Sequence, residues 1–170
     1  LYTEGKKKLH MAYSFELLGP VYTANHFRQS IEDFLNIIPK GWACWSFSNH
    51  DVIRHVSRWI EDINFSDNLA KQAAAILLSL EGSICLYQGE ELGQLETDLE
   101  YSELQDPPGV RFWPENKGRD GCRTPMIWNR NLPNGGFSEK EPWLPVKKSQ
   151  LSHDVKTQDG SPSSVLSFYR

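Results

Sequence analysis

Three short apolar runs, separated by two helix-length segments, constrain this chain more than any other feature. The runs cover residues 9–15, 42–47 and 83–87. Between the first two, Phe27, Ile31, Phe34, Leu35 and Ile38 recur with the spacing of an amphipathic helix. Thr23 or Asn25 is available as its N-cap, and Pro39 as its stop. Between the second and third runs, residues 69–80 read as another helix, with Ser66 or Asp67 as cap and Gly82 just past the end. The order is β-α-β-α-β. Strands alternating with helices of this length pair in parallel through right-handed crossovers. The middle run, Trp42-Ala43-Cys44-Trp45-Ser46-Phe47, is apolar at nearly every position rather than alternating, which predicts a strand covered on both faces. Cys44 and Cys85 then fall in buried strands as inert small hydrophobes.

Beyond Gly93 the periodicity stops. Residues 94–162 are punctuated by Pro107-Pro108-Gly109, Gly118, Asn134-Gly135-Gly136 and Pro142. An irregular excursion of that length inside a compact domain is expected to carry function and to hold local hairpins. Residues 163–170 read as the opening turns of a helix. The chain thus divides into a core over 1–93, a loop region over 94–162 and a final helix start, all within one domain.

Composition excludes several classes. A net charge of −4 with 39% hydrophobic residues is neither a disordered chain nor a basic nucleic-acid binder. No apolar run approaches the roughly 18–20 residues of a bilayer span. Lys6, Lys7 and Lys8 are not followed by the apolar stretch of a secretory leader. Cys44, Cys85 and Cys122 are odd in number and far apart, with neither a disulfide framework nor a zinc spacing, which predicts reduced thiols in the cytoplasm. The absence of an initial methionine suggests a fragment or a processed product.

Polar residues cluster where the apolar runs end: Asn49-His50-Asp51 after the second, and Gln88-Gly89-Glu90-Glu91 after the third. A third cluster, Arg119-Asp120-Gly121-Cys122-Arg123-Thr124-Pro125, lies in the loop region. Ligands of parallel α/β folds bind outside the carboxyl ends of the strands, so His50 and Asp51 are candidates to hold neighbouring hydroxyls of a sugar-sized ligand. The bland alternative makes Asp51 the N-cap of a short helix over 52–60. Glu90 and Glu91, adjacent on a strand, would point to opposite faces and play structural roles. Arg54 and Arg58 are expected to be solvated or ion-paired on a helix surface. Trp45, Trp113, Trp128 and Trp143 are candidates for sugar stacking or for core packing.

Phe47-Ser48-Asn49-His50-Asp51, the stretch LYQGEELG at 86–93 and the stretch GRDGCRTPMIW at 118–128 resemble the later conserved segments of the α-amylase superfamily, glycoside hydrolase family thirteen. The stretch GVRFWPE at 109–115, with Gly136-Phe137-Ser138 and Glu141-Pro142-Trp143-Leu144, is similar to its bacterial α-glucosidase and oligo-1,6-glucosidase branch. That resemblance implies part of a (β/α)₈ TIM barrel: about strands six to eight with their helices, plus the long loop after strand eight. Three strands of an opened barrel leave two unpaired edges and an uncovered apolar inner face.

The resemblance also implies roles. Asp51 matches the carboxylate that stabilises the transition state, His50 binds substrate beside it, and Arg119 reaches the same subsite from the loop, its fork suited to a carboxylate on another part of the barrel. The nucleophile and the acid/base of a retaining glycosidase follow strands four and five in this family, so the 170 residues alone are expected to be inactive. The implied parent hydrolyses terminal α-linked glucose from short oligosaccharides, with glucosyl transfer or sucrose and trehalose isomerisation as the alternative. A non-catalytic relative or an interaction module is the reading from another class. No cofactor and no metal are expected in these residues. The expected partners are an α-glucoside substrate and either the rest of the barrel or a second copy covering the open sheet, with no nucleic acid and no membrane.

Overall fold

The computed structural model describes residues 3, 7–38 and 40–170, so Lys6 and Pro39 lie outside the described residues. Strands β1 (Ala12–Tyr13), β2 (Ala43–Trp45) and β3 (Ser83–Ile84) form one parallel sheet in chain order. Ala12 lies opposite Ala43, Cys44 opposite both Tyr13 and Ser83, and Trp45 opposite Ile84. All three strands are shorter than the apolar runs that announce them.

Helix α1 (Ala24–Ile37) begins behind Thr23, whose hydroxyl accepts the His26 N–H at 3.3 Å, so Thr23 and not Asn25 is the cap. Phe27 is buried, and Ile31 and Phe34 pack against the same core, but Leu35 faces solvent despite its place in the pattern. After β2 come the short helix α2 (His55–Trp59) and the helix α3 (Ser66–Ser79). Neither Ser66 nor Asp67 caps α3. The 3₁₀ turn Ile63–Phe65 runs directly into it, so both residues are already helical, and Asp62 caps that turn instead by accepting the Asn64 N–H.

The core lies between the sheet and these helices. Ala43, Trp45 and Phe47 point into it and meet Phe27, Val56, Trp59, Leu69, Ala70, Ala73 and Leu77. Small residues on α3 let its axis approach the strands, and four aromatic rings fill the remaining width. Tyr22 stacks on Trp59 at 4.7 Å between centroids, while Phe47 meets Trp59 at 5.1 Å and Phe27 at 5.6 Å edge-on. Edge-to-face pairs of this kind contribute about 0.5–1.5 kcal/mol each beyond the area they bury.

The described residues cover the sheet on one face only, where the sequence predicts a middle strand covered on both. Helices pack on a single side, and Trp42, Met11 and Leu86 remain exposed. For the same reason Cys85 is exposed and Cys44 partly so; only Cys122 is a buried thiol.

The loop region holds short helical turns where hairpins were expected, with no strand among its described residues. It carries α4 (Pro107–Phe112), α5 (Asp120–Arg123) and α6 (Val155–Asp159). A second, smaller core of Leu99, Leu104 and Leu144, with Trp113 against it, anchors the excursion. The last helix, α7 (Val165–Tyr169), is capped by Ser164 and packs on α3 and α6, with Val165 entering the main core. No helix among the described residues is long and apolar enough to cross a membrane.

Candidate functional site

The segment leaving β2 is pinned before it can wander. Ser48 Oγ accepts the His55 N–H at 2.8 Å and lies 3.1 Å from His55 Nδ1, closing the stretch between them into a loop. Inside it, Asn49 Oδ1 accepts the Asp51 N–H at 2.8 Å, a side-chain turn that projects the next two side chains outward. His50 and Asp51 are accordingly 68% and 47% exposed at their side chains, the accessibility a ligand requires. Asp51 caps no helix: α2 starts at His55 with Arg54 in the cap position, and the bland reading fails.

The Asp51 carboxylate is held from two directions. Oδ1 accepts from Arg119 Nη1 at 2.8 Å and from Arg123 Nη2 at 3.2 Å. Oδ2 lies 3.4 Å from His50 Nε2. Arg123 also donates from Nε to the His50 carbonyl at 2.8 Å, fixing the backbone beside the site. Within this chain Arg119 already has two carboxylate partners, Asp106 and Asp51. Its backbone N–H and Nε donate to Asp106 Oδ2 and its Nη2 to Asp106 Oδ1, leaving Nη1 for Asp51. Hydrogen bonds donated by Arg119 hold the Asp106 carboxyl below its ordinary range, and the same bonds raise the guanidinium above its own.

Arg54 lies beneath this surface instead of on it, and Arg58 is half-buried. Arg54 is 1% exposed, and its guanidinium donates to the Gln88 carbonyl at 2.6 Å and to the Cys122 carbonyl at 2.9 Å. It thereby joins the ends of β3 and α5 to the His50–Asp51 loop. Burial lowers its pKa, and lowers that of Arg58 to about 10, while Arg58 donates to the carbonyls of Gly19, Phe47 and Ile53. Backbone carbonyls thus satisfy the buried Arg54 and the half-buried Arg58 in place of carboxylates.

Gly89 turns the chain at φ +85°, and a Cβ there would lie 2.5 Å from Gln94 Oε1 and 3.0 Å from Arg54 Nη1. The strand has already stopped at Ile84, and Glu90 and Glu91 belong to a 3₁₀ turn, Glu90–Leu92, where the alternation argument does not apply. Glu90 is buried with Oε1 3.5 Å from His55 Nδ1, and burial raises the Glu91 carboxyl. Glu90 turns inward to His55, away from Asp51.

Two open cavities flank the Asp51 cluster. One, of about 380 Å³, is lined by Tyr13, Phe15, Asn49, His50, Asp51 and Cys85 among others. The second, of about 670 Å³, is walled by Tyr87, Arg123, Met126, Trp128, Phe137 and Trp143, with His50 at the shared rim. Trp128 and Trp143 thus stand half-exposed beside the site, whereas Trp45 is core and Trp113 packs on the small loop core. A further cavity of about 900 Å³ lies among Pro20, Tyr22, Trp59 and Phe65, and shares no lining residue with the first two. Chemistry, not volume, selects the site.

Sequence reasoning placed Arg123 in the third polar cluster without giving it a role, and missed Asp106 altogether. The four-residue spacing of Arg119 and Arg123 across one helical turn is a signal that could have found the former. Asp106 has no such signal, since it lies 13 positions from Arg119 with α4 and a turn between them.

The sequence matches the family described as "Alpha amylase, catalytic domain" over residues 2–170. It is 52% identical over 170 residues to a probable alpha-glucosidase of Rhizobium meliloti (strain 1021), covering 99% of this chain and 31% of that one. It is 34% identical over 148 residues to an oligo-1,6-glucosidase of Heyndrickxia coagulans, covering 76% of this chain and 26% of the relative. Among solved structures, the alpha-glucosyl transfer enzyme XgtA superposes with a TM-score of 0.89 at 46% identity, over 98% of this chain and 30% of its own. The trehalulose synthase MutB from Pseudomonas mesoacidophila MX-45 superposes with a TM-score of 0.82 at 27% identity, over 96% and 34% respectively. The chain spans about a third of the length of these relatives.

Proposed function

This chain belongs to the alpha-amylase catalytic-domain family, and from that membership we propose that it is the C-terminal part of the catalytic barrel of a retaining α-glucosidase. Its three-stranded parallel sheet corresponds to part of a TIM barrel, the fold of the enzymes it superposes on. The parent removes terminal α-linked glucose from short oligosaccharides. Asp51 stabilises the transition state, His50 and Arg119 bind the sugar beside it, and Arg123 shares the arginine's task. The observation that carries this reading is the Asp51 carboxylate, half-exposed outside the end of a parallel strand and oriented by two guanidiniums and one imidazole.

The chemistry follows from what such a group can do. Cleavage with retention passes through a positively charged, oxocarbenium-like transition state, and a fixed carboxylate against the sugar hydroxyls favours that distribution of charge. Arginines set the carboxylate's direction in advance, so the site does not reorganise as charge develops. The nucleophile and acid/base come from residues outside these 170, which are therefore inactive by themselves. The remainder of the barrel covers the bare face of the sheet. Three free thiols, with no disulfide among the described residues, support a reducing compartment, the cytoplasm.

Transfer of glucose to an acceptor other than water is the second reading, favoured by the 46% identity to the alpha-glucosyl transfer enzyme. The two share every residue named here and part only at the step that resolves the glucosyl intermediate. Product analysis with and without a sugar acceptor separates them.

Asp51→Asn in the full-length polypeptide is expected to lower kcat on p-nitrophenyl α-glucoside by at least ~10²–10³. A variant with near-normal turnover overturns the assignment.

A further inference from the structure

We propose that Asp106 is a positioning residue for this site: by gripping the Nε and Nη2 edge of Arg119, it aims the remaining Nη1 at Asp51. The inference rests on the reading of Asp51 given above and extends it to a residue 55 positions away in the chain, 106 against 51.

Arg119 is not a surface arginine that happens to reach an acid. It makes three hydrogen bonds to one carboxylate, two from the guanidinium edge at 2.9 Å (Nε) and 2.6 Å (Nη2) and one from the backbone N–H at 2.8 Å. The Asp106 side chain is 1% exposed, whereas those of Arg119 and Asp51 are 41% and 47% exposed. One end of the pair is therefore locked in the protein while the other opens to the ligand side. Exposed ion pairs held at neither end fluctuate and contribute little; a fork gripped along its Nε–Nη2 edge by a buried carboxylate has its plane fixed, and with it the direction in which Nη1 donates.

The clamp is itself braced. Asp120, fully buried, accepts the backbone N–H groups of Gln105 and Asp106 at 2.6 and 2.7 Å through Oδ2. Contacts run unbroken from Asp120 through Asp106 and Arg119 to Asp51. Gly118 keeps the seat clear: its φ is +71°, and a Cβ would stand 2.9 Å from Asp106 Oδ2. Arg123 adds a weaker contact to the same acid, its Nη1 lying 3.8 Å from Asp106 Oδ1. Two arginines and two aspartates thus share the charge, and removing Asp106 leaves both cations competing for Asp51.

A double-mutant cycle in the full-length polypeptide tests this, with Arg119→Gln, Asp106→Asn and their combination assayed on p-nitrophenyl α-glucoside. Each single change is expected to lower kcat/KM at least ~10-fold, with the same division between kcat and KM. The double variant is expected to match Arg119→Gln within about twofold, because Asp106 has nothing left to aim. Its melting temperature should equal or exceed that of Arg119→Gln, which strands a buried carboxylate without its partner. A merely structural Asp106 predicts otherwise: its loss lowers the active fraction, hence kcat with KM unchanged, and multiplies with the loss at Arg119. Multiplying losses, or a fully active Asp106→Asn, overturn the inference. Where Asp106→Asn does not fold, Asp106→Glu takes its place in the cycle, keeping the charge but displacing the carboxylate by one methylene. Asp51→Asn is run alongside. Full activity there refutes the functional reading itself, whereas a dead Asp51→Asn with a multiplicative cycle refutes only the role of Asp106.

Discussion

Burial lifts the Cys122 thiol to about 12, while its S–H donates to the Arg119 carbonyl at 3.1 Å. At about pH 8 the reactive thiolate is then only ~10⁻⁴ of the population. Cys122 should stay unlabelled by iodoacetamide in the folded full-length protein, as read by mass spectrometry of its peptide; modification at the rate of a free thiol would contradict the packing described. This thiol sits one residue from Arg123, so its silence reports the integrity of the site's floor. His50 and Asp51 were legible from sequence because both their chemistry and their presentation are local: a strand end, an Asx turn and two adjacent side chains. Arg54 and Asp106 were not. Each acts across 34 or more and 13 positions respectively, through a carbonyl of Gln88 or a fork of Arg119, and no periodicity encodes such distances.

At the scale of elements, β2 matters less as a strand than as the wall against which α1, α2 and α3 pack. Phe47, 1% exposed just past its end, touches Phe27 on α1 and both His55 and Trp59 on α2. Phe47→Ala is expected to cost ~3–5 kcal/mol in urea unfolding of the full-length protein, since three rings lose their common neighbour. Leu35→Ala on the exposed side of α1 should fall within about 0.5 kcal/mol, although the two positions look alike in an apolar pattern. Equal costs at both positions would mean that the core has been placed on the wrong side of α1. Helix existence and position were readable from periodicity, because an amphipathic face repeats its own signal. Cap identity was less so: Thr23 follows the rule, but the 3₁₀ turn ahead of α3 moves the helix start upstream of both candidates.

For the whole molecule, the bare sheet dominates. Among the described residues β1 and β3 each keep an unpaired edge, and Met11, Trp42 and Leu86 are exposed. Residues 1–170 expressed alone should self-associate at micromolar concentration in light scattering, because open parallel edges and apolar surface seek partners; a monodisperse monomer would overturn this. The order of strands and helices, their parallel pairing and the family were determined by the sequence alone, with Asp51 and His50 as candidates for the site, since alternating apolar runs, turn chemistry and local motifs are written in neighbouring residues. Which face of the sheet is covered, which of the arginines are buried, where the loop region folds into turns, and the clamp from Asp106 through Arg119 to Asp51 were decided only by tertiary structure. The physical reason is that burial and ion pairing are set by what stands opposite in space, and for these groups the opposing atoms belong to distant, irregular chain that carries no repeating pattern.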